Sequence, residues 1–164
     1  MYERVIKRLF DILLSFAGIV VLAVPMLIIA LCIKCGSKGP VLFKQKRFGI
    51  NKSFFNILKF RTMRTDTPKD VPTHMLADPA AYITRTGAFL RKTSLDELPQ
   101  LFNIFAGQMS VIGPRPALWN QDDLIAERDK YGANDVKPGL TGWAPLFIVP
   151  KKHLQSTASA FSAR

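Results

Sequence analysis

Apolar residues are concentrated in one uninterrupted run near the start of the chain. The run Ile12–Ile33 has 22 residues and no charge, and all but Ser15, Gly18 and Pro25 are strongly apolar. As a helix it would be about 33 Å long, close to the thickness of a bilayer's hydrocarbon core. It is longer than the apolar region of about 7–15 residues in a secretory signal peptide, and no small-residue cleavage site follows it. The pattern therefore predicts a retained membrane segment.

The topology of this segment depends on Pro25 and on the flanking charges. A proline in the middle of a helix removes a backbone donor and kinks or breaks the helix. A spanning helix usually leaves most of its flanking positive charge on the cytoplasmic side, whereas here both flanks are basic. Two topologies fit these residues about equally. One is a re-entrant hairpin broken at Pro25 with both ends on one face, and the other is a kinked spanning helix.

Shorter patterns after the run predict a small domain of the α+β class. Short strands are expected at Val41–Phe43 and at Phe54–Leu58, the second continuing through Arg61, and they are joined by a turn at Gly49–Asn51. The predicted fold is thus an N-terminal membrane helix–break–helix followed by a small cytosolic domain of short strands and amphipathic helices. Its remaining elements are a polar loop Thr65–Pro79, a short helix within Ala80–Leu90, a charged helix Asp122–Tyr131 stopped by Gly132, and a turn over residues 137–142.

The net charge of +11 narrows the choice of partners. Between Lys34 and Lys92 there are 13 Lys or Arg and three acids, which suits nucleic acid, anionic lipid or a phosphorylated small molecule. The chain has no recognised nucleic-acid-binding motif, and its aromatic residues fall mostly in apolar runs, so we expect no nucleic-acid partner. Cys32 and Cys35 form a Cys-x-x-Cys without further metal ligands nearby, which indicates two small apolar residues.

Candidate chemistry is concentrated between Arg91 and Pro116. Ser94-Leu95-Asp96-Glu97 matches a capping box, with Ser94 as the N-cap and Glu97 three residues later. On that interpretation Asp96 and Glu97 are ordinary acids of a first helical turn, which keeps them ionised. The surrounding cations favour a phosphate site instead, because helix N-termini and arginines both attract phosphate. The predicted helix would place four apolar residues toward the core: Leu98, Leu101, Phe102 and Phe105.

Four stretches together resemble the monotopic phosphoglycosyl transferases, the bacterial sugar transferase family. They cover most of the chain from Tyr2 to Ala144, and the third is the most specific. The stretches are Gly39–Gln45 with Arg47 and Gly49, then Lys59-Phe60-Arg61-Thr62-Met63, then Arg91–Asn103 followed by Met109–Pro116, and finally Val136–Gly142.

The resemblance implies a definite reaction. Asp96 and Glu97 match the catalytic acids of the family, in which the aspartate attacks the β-phosphate of a UDP-sugar. UMP leaves, and undecaprenyl phosphate then takes the sugar phosphate from the aspartate, as the first step of polysaccharide or glycoconjugate synthesis. Mg²⁺ is implied as the cofactor, near Asp96. The residues that would bind substrate phosphate by resemblance are Lys59, Arg61, Arg91 and Arg115.

The resemblance also implies a location and a domain division. It favours a re-entrant helix broken at Pro25, and a protein on the cytoplasmic face of the bacterial inner membrane. The expected units are a membrane helix over residues 1–36, a catalytic domain over 37–144, and an atypical tail over 145–164 that reads as truncated or frameshifted. Apolar surface left exposed by such an ending would favour a homo-oligomer.

Two alternative functions remain open on the sequence. One is a catalytically inactive, truncated member of the same family. The other is a basic, membrane-anchored protein that binds anionic lipid or nucleic acid and does not depend on Asp96.

Overall fold

The computed structural model describes residues 5–67 and 78–142, which form short helices and strands around one long helix. This arrangement confirms the α+β class. The helices are α1 (Lys7–Gly36), α2 (Pro79–Tyr82), α3 (Arg85–Thr93), α4 (Gln100–Phe105) and α5 (Asp122–Asp129). The strands are β1 (Leu42–Phe48), β2 (Phe54–Phe60), β3 (Ser110–Ile112) and β4 (Gly139–Thr141), and 3₁₀ turns occur at Ile50–Lys52 and Leu95–Glu97.

Helix α1 is long and apolar enough, by length and composition, to cross a membrane. Its 30 residues would extend for about 45 Å. The helix continues through Pro25 as one element, so the break predicted at Pro25 is absent from this backbone. Proline removes one hydrogen bond from the helix and its ring crowds the carbonyl of the preceding turn, which local packing can offset. Met26 belongs to a core cluster with Ile33, Phe60 and Leu90, and Leu22 packs against that cluster. Residues on both sides of Pro25 are therefore held by the same cluster, which keeps the two halves of α1 in one helix.

One stripe of α1 is buried against the rest of the protein. Its buried residues are Asp11, Ser15, Met26 and Ile33, whose spacings of 4, 11 and 7 residues place them on one face of a helix with 3.6 residues per turn. Between them, Gly18 lies against the side chain of Leu101 in α4. Most other apolar residues of α1 are exposed. The helix is therefore part of the domain's core along one side and presents an apolar surface on the other.

Polar contacts hold the N-terminal end of α1. Arg8 donates through Nη1 to the Ile104 carbonyl and through Nη2 to the Phe105 carbonyl, both at 2.7 Å. Its cation thereby satisfies carbonyl groups at the C-terminal end of α4, where positive charge is favoured. Asp11 is buried, and its Oδ1 accepts from Ser110 Oγ at 2.9 Å and from Val111 N at 2.8 Å. These contacts fix this end of α1 to α4 and β3.

Arg61 holds the opposite end of α1. Its buried guanidinium donates to the carbonyls of Ser37 and Lys38 and to the Ser37 hydroxyl. Those acceptors follow directly after the last residue of α1, so Arg61 acts as a cap on that terminus. Gly39 leaves room for it, because a Cβ at that position would lie 2.5 Å from Arg61 Nη1. The sequence predicts that Arg61 binds substrate, whereas here its guanidinium contacts backbone.

The predicted hairpin is present, and its first strand is longer than expected. Strands β1 and β2 pair antiparallel from Leu42 opposite Phe60 to Phe48 opposite Phe54. Behind β2, Asn103 accepts from Leu58 N and donates to the Asn56 carbonyl, each at 2.9 Å, which attaches α4 to the strand. Strands β3 and β4 form a separate parallel pair, where the sequence predicts only a turn for β4. A three-residue strand paired across a long sequence separation leaves little local signal.

The prediction of a capping box at Ser94 is wrong. Ser94 has the left-handed φ of 58° and ends α3, and its side chain makes no capping hydrogen bond. A 3₁₀ turn follows, and α4 begins only at Gln100. Phe102 and Phe105, predicted to face the core, are 45% and 44% exposed. The reason is the bend at Ser94, which turns α4 so that Ile104 and Asn103 take the buried positions.

The remaining predictions have mixed outcomes. The helix expected within Ala80–Leu90 is two helices, α2 and α3. Helix α5 is present, and Gly132 has a left-handed φ of 64° just after it, as expected of a stop. Cys32 and Cys35 are free and exposed on α1. Most of the polar loop and the atypical tail, residues 68–77 and 145–164, lie outside the described residues.

The cap on α1 leads to a prediction about Arg61. Arg61→Gln should lower the free energy of unfolding by about 1.5–3 kcal/mol, because it removes charge-assisted hydrogen bonds from a buried helix end. The measurement is urea unfolding of the full chain in detergent micelles, followed by circular dichroism. Arg64→Gln is the matched control, since Arg64 is exposed and, within the described part of the chain, forms its salt bridge with the exposed Asp66. Equal stability of the two variants would contradict a capping role.

Candidate active site

The adjacent acids Asp96 and Glu97 lie on the 3₁₀ turn between α3 and α4. Leu95 and Leu98, which flank them, pack against the core cluster that contains Met26 of α1. These two leucines anchor the turn to the core cluster that α1 helps to form. The carboxyl groups of Asp96 and Glu97 are both about half buried. The two acids are therefore held at a fixed position beside the middle of α1.

Glu97 is held by two cations. Lys59 Nζ of β2 lies 2.7 Å from Glu97 Oε1, and Arg115 Nη2 lies 3.1 Å from the same oxygen. Burial opposes the charged form of Glu97, but these hydrogen bonds and charges outweigh it and hold its pKa below the usual value. Glu97 is consequently an ionised group that positions Lys59 and Arg115.

Asp96 has a different environment from its neighbour. Burial raises its pKa above the ordinary value, and the negative charge of Glu97 adds to the rise, while Lys59 and Arg91 oppose it. The sequence predicts a first-turn acid beside a helix N-terminus, which would lower its pKa, whereas here the pKa of Asp96 is raised. The physical reason is that Asp96 lies in a half-buried 3₁₀ turn rather than at the start of α4. Among the described residues, no cation forms a salt bridge with Asp96.

The predicted phosphate-binding residues divide into three groups. Lys59 and Arg115 line one small cleft together with Glu97. Arg91 lies close enough for its charge to lower the pKa of Asp96, and its Nε donates to Thr62 Oγ1 at 2.9 Å. Arg61 does not line the cleft and caps α1, as described above.

The loop that carries Arg115 is fixed by β3 and β4. Gly113 N donates to the Thr141 carbonyl, and Gly139 N donates to the Pro114 carbonyl, both at 2.9 Å. The two glycines approach so closely that a Cβ on Gly139 would lie 2.1 Å from Gly113 N. The parallel pairing thus explains why the stretch around Gly139, far along the chain, is needed to position Arg115.

Two further polar residues line the cleft and were not among the predicted site residues. They are Arg47 of β1 and the buried Gln100 at the start of α4. Burial, reinforced by the charge of Arg115, lowers the pKa of Arg47 to about 10, which leaves it a cation at neutral pH. A signal for Arg47 was present in the sequence, because it lies within the first of the four resembling stretches. Three cations, Arg47, Lys59 and Arg115, therefore surround one carboxylate of the cleft.

The cleft is small in this conformation. Its volume of about 10 Å³ has room for about one water molecule. Arg115 forms part of its wall, and its side chain is 71% exposed. An exposed side chain of this kind can move without disturbing the core, so a larger ligand could enter where Arg115 lies.

Comparison with known proteins identifies the family. Residues 2–158 match the family model described as bacterial sugar transferase. The chain is 44% identical to the exopolysaccharide production protein PSS of Rhizobium leguminosarum bv. phaseoli, over 88% of this chain and 74% of that protein.

Two longer relatives match the same part of the chain. One is the undecaprenyl-phosphate glucose phosphotransferase of Komagataeibacter xylinus, with 40% identity over 88% of this chain and 28% of the relative. The other is the UDP-glucose:undecaprenyl-phosphate glucose-1-phosphate transferase of Escherichia coli K12, with 38% identity over 88% of this chain and 31% of the relative. The chain thus spans less than a third of the length of these two proteins. With most of its length matched by the family model, the chain belongs to the bacterial sugar transferase family.

Proposed function

We propose that this chain transfers a sugar 1-phosphate from a UDP-sugar to undecaprenyl phosphate and releases UMP. The observation that carries the proposal is the turn Leu95–Glu97, which carries two carboxyl groups and packs through Leu95 against a core cluster that includes Met26 and Ile33 of α1. A lipid-linked phosphate and a water-soluble nucleotide can meet only at a membrane surface. The names of the relatives, which include UDP-glucose and undecaprenyl phosphate, support the same pair of substrates.

In the proposed reaction, Asp96 is the nucleophile. A carboxylate oxygen of Asp96 attacks the β-phosphorus, the bond from that phosphorus to the bridging oxygen breaks, and UMP leaves with the electron pair. An oxygen of undecaprenyl phosphate then attacks the same phosphorus and releases the Asp96 carboxylate. The product is undecaprenyl diphosphate sugar. Asp96 suits the role because no cation pairs with it among the described residues, so its oxygens are not engaged in a salt bridge.

The cations around the cleft would bind the phosphates. Glu97 holds Lys59 in place and also pairs with Arg115, and both cations have further N–H groups that can donate to phosphate oxygens. Preorganised cations of this kind stabilise the charge that develops on a transferring phosphoryl group. Arg91, whose charge acts on Asp96, would contact the same phosphates from the α3 side.

Asp96 also fits the Mg²⁺ that the resemblance implies. The described residues contain no group of three or more metal-ligating side chains. Mg²⁺ does not need one, since it usually takes one or two carboxylates and fills its shell with waters and substrate phosphates. When bound, it would offset negative charge on the phosphates.

We further propose that the protein is monotopic, on the cytoplasmic face of the bacterial inner membrane. The contacts of Asp11 and of Ser37 to the domain are separated by 26 residues of helical chain, about 39 Å, which exceeds a hydrocarbon core of about 30 Å. A helix that crossed the bilayer would carry these contacts to opposite sides of the membrane. Because both belong to one small domain, the helix and the domain would lie together at one face.

The exposed apolar surface supports this placement. Phe16 of α1 lies 6.2 Å from Phe105 of α4 between ring centroids, and both are exposed. The apolar face of α1 therefore continues onto α4 at Phe102 and Phe105. A contiguous apolar surface of this extent is typical of a membrane-embedded region.

The nucleophile can be tested by mass spectrometry. Asp96→Asn should abolish both transfer from UDP-glucose and formation of a covalent phosphosugar adduct, because the amide cannot displace UMP. The parent, incubated with UDP-glucose and Mg²⁺ without lipid acceptor, should gain the mass of one phosphosugar. Asp122→Asn is the control, since Asp122 is an exposed acid in the first turn of α5. An active parent that forms no adduct, or an active Asp96→Asn variant, would refute the mechanism.

The topology can be tested by cysteine labelling in intact cells. In a background with Cys32 and Cys35 replaced by serine, Val5→Cys and Ser53→Cys each introduce an exposed thiol, one on either side of the apolar run. Both thiols should resist an impermeant maleimide until the cells are permeabilised. Labelling of one of them from outside would mean that α1 spans the membrane.

A further inference from the structure

Arg47 differs from the other cations of the cleft in its partners. It lies on β1, where the side chains of alternate residues face the same side, and it shares that side with Gln45. Its Nη1 donates to the Pro116 carbonyl at 3.0 Å, and its Nη2 donates to Gln45 Oε1 at 2.6 Å. Both acceptors are neutral. Lys59 and Arg115, in contrast, share the carboxylate of Glu97.

The guanidinium of Arg47 lacks two kinds of partner among the described residues. No carboxylate forms a salt bridge with it. Its Nε is buried and has no hydrogen-bond acceptor. Most buried polar groups are hydrogen-bonded, and a cation withdrawn from water without a counter-charge is costly. An anion in the cleft would supply both the acceptor that Arg47 Nε lacks and the counter-charge that the guanidinium lacks.

The local charge favours the same conclusion. The cleft is lined by Arg47, Lys59 and Arg115 against Glu97 as the one acid of its lining, which leaves an excess of positive charge. Arg115 and burial both destabilise the cationic form of Arg47, and the pKa near 10 reflects that cost. A phosphate oxygen beside Arg47 would reduce the repulsion between the two guanidinium groups.

We propose that Arg47 is a substrate-binding residue that donates Nε–H to a phosphate oxygen held in the cleft. This inference rests on the proposed function, because it concerns the phosphates of that reaction. The phosphate has two sources, the diphosphate of the nucleotide sugar and the phosphate of the lipid acceptor. Arg47 also donates to the Pro116 carbonyl in the loop of Arg115, so one side chain would contact both the substrate phosphate and that loop.

Binding measurements on the full chain in detergent micelles test the proposal. The probes are inorganic pyrophosphate, UDP-glucose and undecaprenyl phosphate, each titrated by calorimetry into the parent and into Arg47→Gln. The variant should bind pyrophosphate about 10- to 100-fold more weakly, as expected when a charge-assisted hydrogen bond is lost. The matched control is Lys44→Gln, because Lys44 is an exposed cation on the opposite side of the same strand, and its affinity should equal that of the parent.

A second variant separates binding from folding. Arg47→Lys keeps the charge but not the planar array of donors, so it cannot satisfy Gln45, Pro116 and a phosphate together. It should fold as the parent does, judged by its unfolding midpoint without ligand, and bind pyrophosphate about 3- to 10-fold more weakly. Parent-like affinity for all three probes in Arg47→Lys and in a folded Arg47→Gln would overturn the proposal, even if turnover fell, because Arg47 would then act only by holding Pro116.

The three probes also distinguish the two phosphate sources. Equal losses for pyrophosphate and UDP-glucose assign Arg47 to the nucleotide diphosphate, and a loss for undecaprenyl phosphate alone assigns it to the acceptor. A parent that binds pyrophosphate through Arg47 yet transfers no sugar phosphate would contradict the proposed function and leave this inference intact. An active parent whose Arg47 variants bind every probe normally would overturn the inference alone.

Discussion

The attachment of α1 at both ends is the constraint on which the rest of the structure depends. Arg8 and Asp11 fix one end to α4 and β3, and Arg61 caps the other end from the strand side. Each contact places a charged group on backbone or side-chain atoms that water would otherwise have to satisfy. An apolar helix of this length could serve as a membrane anchor separate from the domain, but these contacts make α1 an integral part of the domain. The elements that carry the site residues pack against α1 or against elements that contact α1.

The carboxyl groups illustrate this dependence. Leu95 and Leu98 pack into the cluster around Met26, so the turn that carries Asp96 and Glu97 is built on α1 itself. Across the cleft, Lys59 lies on β2 two residues before the cap Arg61. Strand β2 therefore carries the cation that orients Glu97, and Arg61, which directly follows that strand, holds the helix terminus.

The two acids are chemically alike but have opposite pKa shifts, and their surroundings decide the difference. Glu97 receives two cations on one oxygen, which outweigh its burial, whereas burial of Asp96 outweighs the more distant charges of Lys59 and Arg91. One acid is thereby suited to organising cations and the other to chemistry at its own oxygen. The proposed mechanism depends on this division of roles between two adjacent residues of one turn.

The amino-acid sequence by itself determined the apolar helix, the β1–β2 hairpin and the family, because local periodicity and continuous motifs carry these features. It also identified Asp96, Glu97, Lys59 and Arg115 as candidates. Tertiary structure alone decided the left-handed Ser94, the helix through Pro25, the role of Arg61 as a cap, and the position of Arg47 in the cleft. Each of these depends on contacts between residues that are distant in sequence. The free energy of such contacts outweighs local preferences, such as the capping box at Ser94 or the helix-breaking tendency of proline.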